Sequence, residues 1–132
     1  MEIVETQFPS LPGTPASVRG FLRVALKTWE LDGFGEVTEL LSDELVSNVV
    51  RHVGTPMTVR ALRQPSSIRV EVDDSSNEMP VLQHPGALDD HGRGLLLLDS
   101  LANQWGIEMR EDGKTVWFEI DVRTATEEIH GR

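Results

Sequence analysis

The sequence contains no cysteine, which excludes disulfides, zinc-thiolate centres and a cysteine nucleophile. It contains no long apolar run either. The longest, Leu95 to Leu98, has four residues, against the roughly 20 that a membrane helix needs. Positive charge is scarce: 12 Lys+Arg stand against 22 Asp+Glu, a formal net charge of -10. Such an acidic surface repels phosphate backbones and argues against direct nucleic-acid binding as the main activity. It does not exclude a nucleotide, because a small anion responds to its pocket more than to the net charge. The opening MEIVETQFPSLPG lacks the basic segment and apolar core of a signal peptide. These absences predict a soluble cytoplasmic protein that meets no membrane. What is present is ordinary for a globular chain: 132 residues, 39% of them hydrophobic, the size of one domain. The expected domain is 1–132, with a core at about 6–122 and a frayed tail at 123–132.

Periodicity divides the chain. Ile3 to Phe8 alternates as an edge strand ahead of Pro9, Pro12 and Pro15. Thr14 is a helix N-cap with Pro15 at the first helical position. Val18, Phe21, Leu22, Ala25 and Leu26 then recur at helical spacing to about Trp29. A break at Asp32-Gly33-Phe34-Gly35 leads into a second helix from about Gly35 to His52, closed by Gly54 and Pro56. The period then changes to two. Met57 to Leu62 and Ile68 to Asp73 read as strands around a Gln64-Pro65-Ser66 turn. Asp73 to Asp90 reads as a long polar loop, and Gly92-Arg93-Gly94 opens a third helix from Leu95 to about Asn103. Gln104 to Arg110 and Lys114 to Val122 close the chain as a hairpin about Glu111-Asp112-Gly113. Hairpin-joined strands with one apolar face need a helical layer over that face. The expected fold class is therefore α/β, a two-layer sandwich with a mixed, mostly antiparallel sheet.

Three groups of residues carry candidate chemistry. On a helical wheel with Leu41 at zero, Glu44, Asn48 and His52 fall at about 300°, 340° and 20°, a continuous stripe at the border of the apolar arc. Burying such groups costs several kcal/mol unless each is partnered. They either cap neighbouring backbone and look out at a solvated edge, or face a ligand. In the second case Glu44 serves as general base and the Asn48 carbonyl oxygen binds a hard cation such as Mg²⁺. His52 touches a phosphate or stabilises the helix C-terminus.

Strand parity separates the two aspartates that follow. Ile68, Val70 and Val72 face the helices, so Asp74 points into the interlayer space and Asp73 to solvent. An inward carboxylate needs a donor, either an amine on a ligand or a backbone turn at Ser75 and Ser76. Gly92-Arg93-Gly94 at a helix start is either a plain turn or a place where backbone N–H groups and Arg93 meet phosphate oxygens.

The order of these pieces is more specific than any one of them. Glu44-Leu45-Val46-Ser47-Asn48, continued by Val49-Val50-Arg51-His52, resembles the N-box of the histidine-kinase-like ATPase superfamily. Val72-Asp73-Asp74-Ser75-Ser76 with Pro80 resembles its adenine box, and Gly92-Arg93-Gly94-Leu95-Leu96 its second glycine box. Trp105-Gly106 and Gly113-Lys114-Thr115-Val116-Trp117-Phe118 are similar to its closing hairpin. The resemblance runs over about residues 6 to 122 and implies the Bergerat ATP-binding fold. The subgroup it resembles is the small anti-sigma-factor serine kinases of partner-switching systems.

Carried over by position, the resemblance implies Glu44 as general base and Asn48 as Mg²⁺ ligand. Asp74 takes the adenine amine, Ser76 joins it among the nucleotide-binding residues, and Gly92, Arg93, Gly94 and Leu95 approach the phosphates of ATP. It also implies an antagonist protein as phosphate acceptor, a sigma factor as second partner, and a homodimer. The sequence departs from the family pattern at Ser76, Glu78 and His91, where glycines are expected. A superfamily threonine of the last strand is not carried over to Thr115, whose parity points away from the pocket. Two other readings stand beside the kinase: a non-catalytic interaction module of the same fold with weakened nucleotide binding, and a small metal-dependent hydrolase using Glu44, His52 and the Asp loop.

Overall fold

The computed structural model describes residues 1–77 and 90–122, with the side chains of 90–95 excepted. Within them the elements run β1 (Glu2–Phe8), α1 (Thr14–Thr28), a 3-10 turn (Asp32–Phe34), α2 (Gly35–His52), β2 (Met57–Gln64), β3 (Ser67–Asp74), α3 (Asp90–Leu101), β4 (Gln104–Arg110) and β5 (Gly113–Asp121). The strands form one sheet in the order β1-β2-β3-β5-β4. All four pairings are antiparallel, so the sheet contains no parallel pair among the described residues, where a mixed sheet was expected. β1 is an edge strand as its alternation predicts. β4 forms the other edge, because β5 folds back between it and β3.

Alternation decides which strand face is dry. Val59, Ala61, Ile68, Val70, Val72, Val116, Phe118 and Ile120 are buried on one face and meet Leu22, Leu26, Leu41, Leu45, Val46 and Val49 from the helices. Burying each such side chain contributes roughly 1.5–3 kcal/mol, which is why a single helical layer suffices. α2 packs against both α1 and α3 and so occupies the middle of that layer. Two of its buried residues are polar, Thr38 and Ser42. Each satisfies itself locally, with hydroxyls donating to the carbonyls of Phe34 (2.7 Å) and Thr38 (2.6 Å) one turn back.

The helix ends differ from expectation in two places. Thr14 is not the N-cap of α1. Gly13 holds that position without a side-chain bond, and the Thr14 hydroxyl turns back into the preceding loop, accepting from the Leu11 N–H (3.1 Å) and donating to the Pro9 carbonyl. A loop with three prolines has few donors of its own, so the hydroxyl satisfies the loop. α3 begins at Asp90, so Gly92-Arg93-Gly94 lies inside its first turns and not ahead of them. The C-terminus of α1 is closed by an αL residue. Glu30 has φ 58, its N–H donates to Lys27 O (3.0 Å), and the Leu31 N–H donates to Leu26 O (2.8 Å), the Schellman pattern. α2, whose last residue is His52, is closed by Gly54, with φ 75 and its N–H donating to Val49 O (2.9 Å). Most of the expected long loop, and the expected frayed tail at 123–132, lie outside the described residues.

Candidate functional site

α2 places its polar stripe at the border of the buried arc, as the wheel predicts. Glu44 and Asn48 are half-buried, while His52 in the last turn is exposed. Glu44 and Asn48 are one helical turn apart and therefore neighbours on one face. The Asn48 Oδ1 atom is fully buried and has no hydrogen-bond partner among the described residues. A buried amide oxygen left unmade costs about 1–3 kcal/mol, so this atom is an acceptor waiting for a donor or a cation.

The second piece sits where β3 and β5 run side by side. Asp74 faces inward and is buried, in line with its parity. Its register partner across the sheet is Lys114, also buried. The Lys114 Nζ lies 3.0 Å from both carboxylate oxygens of Asp74, and the two side chains are 5% and 2% exposed. The Ser76 N–H also donates to Asp74 Oδ1, at 2.8 Å. The backbone turn anticipated at Ser75-Ser76 is thus present, and a lysine joins it.

Lys114 went unassigned from the sequence. The signal was there, since Lys114 has the same parity as the inward Val116, Phe118 and Ile120. Its burial becomes reasonable only once β5 is known to lie beside β3. Gly113 makes this closeness available: a Cβ there would stand 2.0 Å from the Asp74 carbonyl oxygen, so no other residue fits without moving a strand. The Asn77 side chain ties the start of the next segment to the same turn, donating to Glu111 O (2.9 Å).

The opposite face of the sheet is a charge ladder. Asp73 points there, as predicted, but into a network instead of open water: Arg60 Nη2 donates to it at 2.7 Å and the Thr115 hydroxyl at 2.7 Å. Thr115 therefore points away from the interlayer space, consistent with leaving it out of the site. Arg60 also bonds Glu5 (2.6 Å) and Glu71 (2.8 Å). Arg69 joins Glu71 (2.8 Å) to Glu119 (3.1 Å) and stacks 3.8 Å from the Trp117 ring centre. Burial of Glu71 disfavours its charge, but hydrogen bonds from Arg60 and Arg69 outweigh this and hold its carboxyl below the ordinary 4.5. Burial likewise opposes the Arg60 charge, and its three carboxylate partners raise its pKa overall.

Gly92, Arg93, Gly94 and Leu95 are placed in α3 as backbone only. Their expected phosphate contacts fall outside the described side chains, as does Glu78. Among the described residues no group of three or more His, Asp and Glu could hold a metal ion, and no helix is long and apolar enough to cross a membrane. Two surface clefts, of about 410 and 450 Å³, open beside α1; one runs along the start of α2 and the other along β1, and neither includes a candidate site residue.

An antiparallel sheet under one helical layer, with an acid–amide pair on the central helix and a buried acid at a strand end, defines the class: a helix-roofed α/β sandwich. The chain belongs to the histidine kinase-like ATPase domain family, which it matches over residues 8–120. An uncharacterized protein of Streptomyces coelicolor is 44% identical over 78 residues, covering 55% of this chain and 74% of that protein. The crystal structure of the RsbU and RsbW domains of Rv1364c from Mycobacterium tuberculosis matches 95% of this chain with a TM-score of 0.70 and 18% identity. This chain spans 34% of that one, and at this identity the likeness is one of fold.

Proposed function

We propose that this chain binds ATP with Mg²⁺ and acts as a regulatory protein of the anti-sigma-factor serine-kinase type, phosphorylating a serine of an antagonist protein. The observation that carries the reading is the buried, unpartnered Asn48 Oδ1 one turn beyond Glu44. An amide carbonyl is a suitable ligand for Mg²⁺, which accepts one or two protein oxygens and completes its shell with water and phosphate oxygens. The residue therefore fits the ion. Bound there, Mg²⁺ would supply charge neutralisation between phosphate groups; the net charge of -10 makes that neutralisation, together with Arg93, necessary for an anionic ligand.

The remaining roles belong to the chain itself. Asp74, fixed by the Ser76 N–H, accepts from the exocyclic amine of the base. Gly92, Arg93, Gly94 and Leu95 in the first turns of α3 approach the phosphates, with His52 at their margin. Glu44 takes the proton of the acceptor serine as its oxygen bonds the terminal phosphorus, and the bond from that phosphorus to the bridging oxygen breaks to release ADP. The family match, and the likeness in fold to a chain with an RsbW domain, support the assignment. They also support an antagonist protein as partner; a sigma factor, a second copy of the chain and a cytoplasmic location complete the proposal.

Calorimetry with ATP, with and without Mg²⁺, tests the site. Asn48→Ala is expected to weaken Mg²⁺-dependent binding about tenfold or more, the loss of one charge-assisted contact; unchanged affinity would remove Asn48 from the site. Transfer of labelled phosphate to the antagonist tests the chemistry, with Glu44→Gln expected to bind ATP but not transfer. One observation favours a second reading, a non-catalytic interaction module: Asp74 is already held by Lys114. Weak or absent nucleotide binding by the folded wild type, with no phosphate transfer, would establish that reading.

A further inference from the structure

The Asp74–Lys114 pair is a costly thing to bury. Removing two charges from water is repaid only when geometry is good and the remaining protons and lone pairs find partners. Among the described residues they do not all find them. Asp74 Oδ1 accepts two hydrogen bonds, from Ser76 N (2.8 Å) and Lys114 Nζ (3.0 Å). Among the described residues, Oδ2 has only the ion-pair contact to the same nitrogen, at 3.0 Å. A carboxylate offers about four acceptor positions and an ammonium three donors, so the pair keeps free capacity for acceptance at Oδ2 and at least one unspent N–H on Lys114. Both lie side by side at the inner end of β3 and β5.

A free acceptor beside a free donor is complementary to a heterocycle edge carrying a donor beside an acceptor. Adenine has such an edge in its exocyclic amine and the adjacent ring nitrogen N1. We propose that Lys114 is a specificity-determining residue: its ammonium donates to N1 of the base while Asp74 Oδ2 accepts from the amine. The pair together is neutral, and so matches a neutral edge better than a lone buried carboxylate would. This rests on the ATP-binding reading above and adds to it a second base-reading group.

The test compares ATP, 1-deaza-ATP (N1 replaced by C–H, amine kept) and 7-deaza-ATP (N1 kept) by calorimetry on the intact chain with Mg²⁺. The wild type is expected to bind 7-deaza-ATP like ATP and 1-deaza-ATP at least about tenfold more weakly, the usual cost of losing a hydrogen bond from a charged donor. Lys114→Met is expected to bind ATP and 1-deaza-ATP equally. Equal binding of ATP and 1-deaza-ATP by the wild type overturns the proposal, as does an equal loss for both deaza analogues. So does a gain in ATP affinity in Lys114→Met, which would make the lysine a competitor of the base. The wild-type comparison stands even if the variant does not fold. Absence of ATP binding by folded wild type would overturn the ATP reading itself, and is told apart by the first titration alone.

Discussion

Lys114→Met is the substitution that most directly weighs the buried pair. Both side chains are almost wholly out of water, at 5% and 2% exposure, so solvent screening is small. Methionine retains the length and apolar stem of lysine, and the loss is confined to the charge. Asp74 keeps one neutral donor, the Ser76 N–H, and otherwise stays buried and uncompensated. Breaking a buried pair from one side costs about 3–5 kcal/mol, and the surviving bond places this case at about 3 kcal/mol. Urea unfolding followed by tryptophan fluorescence should show the midpoint falling by about 1–3 M, taking a slope of roughly 1–3 kcal/mol/M. Converting both partners together, Asp74→Leu with Lys114→Met, should recover most of that loss, since an apolar replacement of a buried pair is close to neutral. A single-variant loss below about 1 kcal/mol, or a double variant no better than the single, would refute the claim that the two charges depend on each other.

Gly113→Ala should destabilise by at least about 2 kcal/mol, because its Cβ would stand 2.0 Å from the Asp74 carbonyl oxygen and the strands must part to admit it; an unshifted urea midpoint would show that β3 and β5 yield freely. Glu30→Gly should stabilise by about 0.5–1 kcal/mol, since φ 58 burdens any side chain but glycine, and a thermal melt would register the gain. Asn48→Ala should leave stability without nucleotide unchanged or slightly higher, because it removes an unsatisfied buried oxygen; a clear loss in urea would mean that the oxygen has a structural partner. Glu71 titrates below its ordinary 4.5 in the folded chain, so its contribution is present above that pH and is lost as pH falls through the folded value. Arg60→Met weakens that depression and should flatten the fall in stability as pH drops below that ordinary value; identical slopes in the two proteins would refute the role given to Arg60.

Much of the fold was legible because short-range period encodes it. The 3.6-residue recurrence of Leu41, Leu45 and Val49, and the alternation of Ile68, Val70 and Val72, state locally which face is dry. The inward Asp74 follows from that alone, and the α2 bounds and the Pro65-Ser66 and Glu111-Asp112 turns follow once the local glycine, proline and aspartate breaks are added. Thr14 misled because its residue type suits two jobs, and the unsatisfied groups of the Pro9–Leu11 loop decided between them. The start of α3 misled because glycines that suit a turn also fit within a first helical turn.

Lys114 shows where local pattern stops. Parity turned it inward, but a lysine facing a core is tolerable only beside a counter-charge, and its counter-charge lies 40 residues earlier in the chain. That meeting depends on the strand order, in which β5 inserts between β3 and β4. The same insertion adds Thr115, Trp117 and Glu119 to the ladder that Arg60, Arg69, Glu71 and Asp73 form on the outer face of β2 and β3. Side-chain direction is a property of each residue's own strand or helix, and the sequence settles it. Which directions converge on one point is a property of how the elements are stacked, and only the tertiary structure settles that.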